Sequence, residues 1–202
     1  PSSPPNKLPP IRQGEDGLAV VEAENFDAHV PTFTHAWQFD QTPVDWSADG
    51  VMYALPESGS APGLPDALTG SPRLDYKIKF VKTGTHYIWV RGIGASGNDD
   101  SMHAGFNGQA VTTADRISSF TTSWTWSRTT MDAGAAATVN VATAGEHTLN
   151  LWMREDGMVI DKIVVTSSSA YTPSGTGPAQ SPQFPPVAPV LNAPVAGDKQ
   201  VT

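Results

Sequence analysis

Two carboxylates stand two residues apart in Val20-Val21-Glu22-Ala23-Glu24-Asn25-Phe26. On a strand that spacing projects both to one side, where like charges repel unless a cation joins them. A third, Asp161, stands inside the apolar run Val159-Ile160-Asp161-Lys162-Ile163-Val164-Val165, on the face expected to carry Val159, Ile163 and Val165, with Ile160 and Val164 on the other. An unpaired ionised Asp is costly there. A second set of segments suits hydroxyl-rich ligands: Asn98-Asp99-Asp100-Ser101, Trp124-Thr125-Trp126-Ser127-Arg128 and Arg154-Glu155-Asp156-Gly157. A sugar ring offers an apolar face of C–H groups and a rim of hydroxyls, so its site needs an aromatic platform beside carboxylate, amide or guanidinium groups. Each segment also has a plainer reading. Trp124 and Trp126 share one face of an extended strand and serve equally as core. Arg154-Glu155-Asp156-Gly157 and the Asn98 loop have the composition of ordinary turns, with Asp-Gly supplying positive φ, and Arg154 could equally close an internal ion pair.

The elements that must position these residues are strands. No stretch keeps a 3.6-residue period, whereas several alternate with period 2. Tyr76, Ile78 and Phe80 alternate with Lys77 and Lys79, and the Lys-Thr-Gly-Thr turn leads into a strand over 86–91, which reads as a hairpin. Val139 and Val141, a Thr-Ala-Gly-Glu turn, then Leu149, Leu151 and Met153 read as a second one. The last strand, 158–166, is apolar on both faces and is expected to be central. Further strands are expected at 18–25, 35–39, 51–55, 103–106 and 123–127. About nine strands with this spacing predict an all-β fold, an antiparallel β-sandwich of jelly-roll type. Trp37, Trp89 and Trp152 fall inside alternating segments and are assigned to the core or the sandwich surface.

Residues 1–17 and 168–202 are rich in Pro, Gly and Ser and lack periodicity, so they are expected to be linkers flanking one module over 18–167. Val187 to Val190 and the closing Lys-Gln-Val-Thr carry some strand character, which leaves the start of a next module open for the C-terminal stretch. The Pro-rich opening without an initiator Met leads us to expect a piece of a longer protein.

At Glu22-Ala23-Glu24-Asn25-Phe26 and at Asp161 among β-branched residues the chain resembles the family 6 and family 35 carbohydrate-binding modules. Their opening strand reads Glu-Ala-Glu, a polar residue and an aromatic, and their last strand carries an Asp. The resemblance spans residues 18–166. It implies that the first and last strands lie side by side and that Glu22, Glu24 and Asp161 bind a structural Ca²⁺, with backbone carbonyls completing the shell. Oxygen-only ligands also favour Ca²⁺ over zinc or copper. It implies further a ligand cleft of loops at one end of the sandwich, for which Tyr53 and Trp124 or Trp126 match the aromatic positions, beside Asp99, Asp100, Arg154, Glu155 and Asp156. One departure stands out: the family 6 pattern has two Trp three apart, and here they are two apart.

A formal charge of −8 and a pI near 4.9 oppose binding to a phosphate backbone, and no Lys/Arg cluster is present to release counterions from one. No apolar run reaches the roughly 20 residues of a membrane span. The chain has no cysteine, and His29, His35, His86, His103 and His147 show no metal-ligand spacing. These readings point to a secreted, non-catalytic module that anchors a polysaccharide-degrading enzyme to its glycan, a monomer tethered to other domains. The alternatives are a glycosidase or lyase fragment with paired catalytic carboxylates, or an adhesion and assembly sandwich. Arg116, Arg128 and Arg154 would admit uronic or sulfated units if they face the cleft.

Overall fold

The computed structural model describes residues 9–183; the strand-like stretches at 187–190 and 199–202 lie outside them. Within that range the chain forms thirteen strands and one helical turn, packed as two sheets. The first sheet is built on β6 (Arg73–Phe80) and β12 (Gly145–Met153), flanked by β1 (Ile11–Arg12) and β3 (Ala28–Val30) on one side and by β8 (Met102–Phe106) and β9 (Gln109–Ala110) on the other. The second centres on β7 (Gly84–Ile93) and β13 (Val159–Thr166). Strands β10 (Thr125–Ser127) and β11 (Thr138–Val141) pair with β7, while β2 (Leu18–Glu22) and β5 (Val51–Leu55) pair with β13, and β4 (Ala36–Asp40) pairs with β5. Every pairing is antiparallel except β1 with β6. The fold is an antiparallel β-sandwich.

Its core lies between the sheets. Leu74, Tyr76, Ile78 and Phe80 from β6 and Leu149, Leu151 and Met153 from β12 meet Ile88 and Val90 from β7, and Ile163 and Val165 from β13. Each is an alternate residue of its strand, which is how a pleated sheet buries one face. Alternation locates the strands correctly and says nothing about their partners. Neither expected hairpin forms: β6 pairs with β12 while β7 pairs with β13, and β11 pairs with β7 while β12 stays in the other sheet. The short turns at 81–83 and 142–144 therefore carry the chain from one sheet to the other, so that consecutive strands face each other across the core.

The last strand is central as expected, with all its residues buried, and β2 lies beside it with Glu22 opposite Lys162. Its face assignment is corrected by a bulge between Ile160 and Lys162. One extra residue shifts the alternation, so Ile160 joins Ile163 and Val165 in the core and Asp161 is set apart from them.

Packing against the sandwich continues beyond residues 18–167 on both sides. Ile11 is buried and paired with Ile78, and the Gln13 side chain, also buried, accepts hydrogen bonds from the Val81 and Lys82 N–H groups. The segment 167–183 runs as a strap over the outer face of the second sheet. Ser181 exchanges hydrogen bonds with both backbone groups of Val20, and the Gln180 side-chain oxygen accepts from the Glu22 N–H. A Pro/Gly/Ser composition does not distinguish a linker from a strap that satisfies a sheet edge.

Candidate functional site

The structure brings Glu22, Glu24 and Asp161 into one cluster under the 41–50 loop. Ser47, at the tip of that loop, places its hydroxyl 2.6 Å from Glu22 Oε2 and 3.0 Å from Asp161 Oδ2, its one proton shared between them, and donates its N–H to Asp161 Oδ1 at 2.7 Å. Two buried cations complete the set: Arg91 Nη1 lies 2.8 Å from Asp161 Oδ2, and Lys162 Nζ lies 3.0 Å from Glu22 Oε1. Glu24 accepts from the Asp49 N–H, and its other oxygen is buried without a partner. Burial, with Glu22 and Asp161 nearby, pushes the Glu24 carboxyl up to about 7.

These contacts test the calcium expectation. A Ca²⁺ ion takes about six to eight oxygens, whereas Glu22 and Asp161 are held by N–H and O–H donors and neutralised by Lys162 and Arg91. Among the described residues no three acidic, His or Cys side chains converge as a metal would need. In this arrangement an ion-pair network takes up Glu22 and Asp161, while Glu24 keeps one buried oxygen without a partner; we propose that the ion pairs, and not a cation, neutralise the cluster. The melting temperature is accordingly expected to stay within about 1 °C when millimolar Ca²⁺ or a chelator is added, because a ligand that does not bind the native state cannot stabilise it. Differential scanning fluorimetry with elemental analysis checks this, and a shift of several degrees with one bound Ca²⁺ per chain would refute it.

A second cluster lies at the end of the sandwich where β12 turns into β13. Asp156 is buried and accepts from the Ser58 N–H and hydroxyl, from the Ser60 N–H at 3.1 Å and from His35 Nε2 at 3.3 Å. Its burial acts to raise the carboxyl pKa, but these hydrogen bonds outweigh burial and hold it below the usual range. Glu155, also buried, accepts from the Asp100 N–H at 3.0 Å and the Ser101 hydroxyl at 2.6 Å and pairs with Arg154. Gly157 takes φ +85°, and a Cβ there would stand 2.9 Å from the Asp99 carboxylate. Glu155 and Asp156, expected beside a ligand, each tie down a neighbouring loop here, 96–101 and 56–60 respectively.

What they hold in place is a polar rim. Tyr53, Asp99 and Asp100 are half-buried there and Glu57 is exposed. Tyr53 donates its hydroxyl to Glu57, and this bond, with burial and the charges of Glu57 and Asp99, lifts the phenol to about 12. Burial and Glu155 raise the Asp100 carboxyl.

Trp124 and Trp126 belong to other surroundings. Both are half-buried over the second sheet, one with its indole N–H on the Val44 carbonyl at 2.7 Å and the other on Gly175 at 3.0 Å. The Arg91 guanidinium stacks 4.4 Å from the Trp124 ring. The tryptophans pin the 41–50 loop and the strap through these hydrogen bonds. Sequence reasoning missed Ser47, Arg91 and Lys162. Lys162 was a usable signal, since a charge in an apolar strand calls for an opposite one, here Glu22 on the neighbouring strand, whereas Ser47 reads as an ordinary turn residue.

An antiparallel sandwich with β2 beside the last strand, β13, acidic residues at that pairing and polar loops at one end defines the carbohydrate-binding-module type of β-sandwich. Solved structures agree on the fold. The chain is similar to the Podospora anserina GH26-CBM35 β-(1,4)-mannanase (TM-score 0.53, 20% identity, 79% of this chain and 29% of that one). It is also similar to the CBM35 from Cellvibrio japonicus Abf62 (TM-score 0.51, 11% identity, 75% and 94%) and to a family 35 module from Clostridium thermocellum (TM-score 0.50, 11% identity, 75% and 98%). The chain belongs to the glycosyl hydrolase family 115 C-terminal domain family, whose model it matches over residues 14–180. It is 31% identical over 198 residues to Uncharacterized protein P23 of Formosa agariphila, a match covering 83% of this chain and about half (48%) of that protein.

Proposed function

We propose that the chain is a non-catalytic module of a secreted polysaccharide-degrading enzyme and that it binds a neutral polysaccharide at the rim around Tyr53, Asp99 and Asp100. The observation that carries the reading is that two buried carboxylates, Glu155 and Asp156, fix the loops bearing that rim from beneath. A site whose ordering is complete before the ligand arrives loses little entropy on binding. Membership of the family 115 C-terminal domain family and the likeness to the CBM35-bearing mannanase support a glycan as the ligand. Charge selects its class. Glu57, Asp99 and Asp100 make the rim acidic, and the arginines that would welcome an anionic sugar are engaged: Arg154 with Glu155, Arg116 with Asp115 and Asp132, and Arg128 over Tyr87 and Trp89.

Affinity electrophoresis against neutral xylan and mannan and against anionic alginate tests this. Retardation by a neutral glycan and none by alginate is expected. Tyr53→Ala should weaken binding about ten-fold, the loss of roughly 1.4 kcal/mol of aromatic stacking. Binding to no glycan, or reducing ends released during incubation, would defeat the reading in favour of an assembly domain or an enzyme respectively.

A further inference from the structure

A cavity of about 570 Å³ opens between the 41–50 loop and the C-terminal strap, and Tyr53, Asp99 and Asp100 of the rim are not in its lining. Its lining is mixed. Trp46 and Ala48 come from the loop, Thr176, Gly177 and Gln180 from the strap, and Glu22 with Lys162 forms the floor. We infer that this cavity is a second saccharide site, taking a neutral pyranose unit against Trp46; the inference rests on the proposed glycan-binding function.

Four observations carry it. First, the volume lies within the range of small-molecule sites. Second, the walls are fixed. Trp124 holds the loop through Val44, Trp126 holds the strap through Gly175, and Gln180 Oε1 accepts from both the Glu22 N–H and the Asn25 amide. The Gly177 wall is itself backed by Trp126, since a Cβ there would stand 2.7 Å from the indole. Third, the floor offers no free charge. Lys162 is shared between Glu22 at 3.0 Å and the Pro178 carbonyl at 2.9 Å, so an anionic sugar finds no unpaired cation and a cationic one no unpaired carboxylate. Fourth, the rest of the lining matches a neutral sugar: a half-buried indole for its C–H face, and the Gln180 and Asn25 amides and the Thr176 hydroxyl for its rim.

The test is two-dimensional ¹H–¹⁵N NMR of the full chain titrated with xylohexaose, mannohexaose and cellohexaose, with trigalacturonate as the anionic comparison. The Trp46 indole N–H signal is assigned by its loss in Trp46→Phe. That signal is expected to shift with a neutral hexaose and not with trigalacturonate, and to go on shifting in Tyr53→Ala, where the rim is impaired. Trp46→Ala should weaken this second binding event about ten-fold, with Trp46→Phe retaining most of it. If rim signals respond while the Trp46 indole stays fixed at saturating ligand, the second site is overturned and the proposed function stands. Should no signal respond to any of the neutral sugars, both fall together. A Trp46 shift that vanishes in Tyr53→Ala would show one site rather than two and overturn the inference.

Discussion

Asp161→Ala is expected to lower the unfolding free energy by about 3–5 kcal/mol, the usual cost of leaving the partner of a buried ion pair alone. Asp161 is fully buried and Arg91 is 5% exposed, so water cannot take over the guanidinium when the carboxylate is gone. The same change strips Ser47 of the acceptor for its N–H and one acceptor for its hydroxyl, so the 41–50 loop loses its central tether. Urea denaturation followed by tryptophan fluorescence reads the loss as a lower midpoint. The double variant Asp161→Leu with Arg91→Met should recover much of it, because replacing both ions by apolar groups removes two desolvation costs together. A single variant within 1 kcal/mol of wild type, a bound set here by ordinary surface substitutions, would mean that the pair does not hold the loop.

The cost of that pair explains what the sequence could and could not reveal. Asp161 among β-branched residues called for a compensating partner, which the resemblance gave as Ca²⁺; in the structure Arg91 stands beside it. Its identity was not legible, because Arg91 lies seventy positions away and reaches Asp161 only through the pairing of β7 with β13. Strand positions were legible from alternation alone, as at Val51–Leu55, where the expected and observed bounds coincide. Pairing was not, since a short turn serves a hairpin and a sheet-to-sheet crossing equally well. Nor was the bulge at Asp161, which one residue creates without any mark in the apolar pattern. At the loop end the residue types marked a polar cluster but not its contacts: Glu155 and Asp156 looked like ligand groups because they are charged, and in the structure they accept from backbone N–H and hydroxyl donors of adjacent loops. Composition cannot tell a carboxylate facing solvent from one facing a loop's underside.

The strap makes the sharpest contrast with a reading from composition. A chain ending at Thr166 is expected to be at least about 2 kcal/mol less stable than one ending at Gln183, and to self-associate. Strand β2 pairs with β13 on one side only, and on its other side Ser181 and Gln180 satisfy Val20 and Glu22. Pro182 accepts from the Arg12 N–H, Pro178 from Lys162 and Gly175 from Trp126. Each such bond contributes roughly 1 kcal/mol where water is excluded. Val20 and Val164, buried yet outside the core cluster, add apolar area whose cover would be removed. Against this stands the conformational entropy that the strap regains on release, so the net effect is smaller than the sum of the contacts. Removal also leaves β2 as an unpaired edge, a template for pairing with another chain. Urea midpoints and sedimentation of the two truncations decide the matter: equal stability and a monomeric shorter chain would show that residues 167–183 merely rest on the sheet, and that the wall they form beside Trp46 is not a built one.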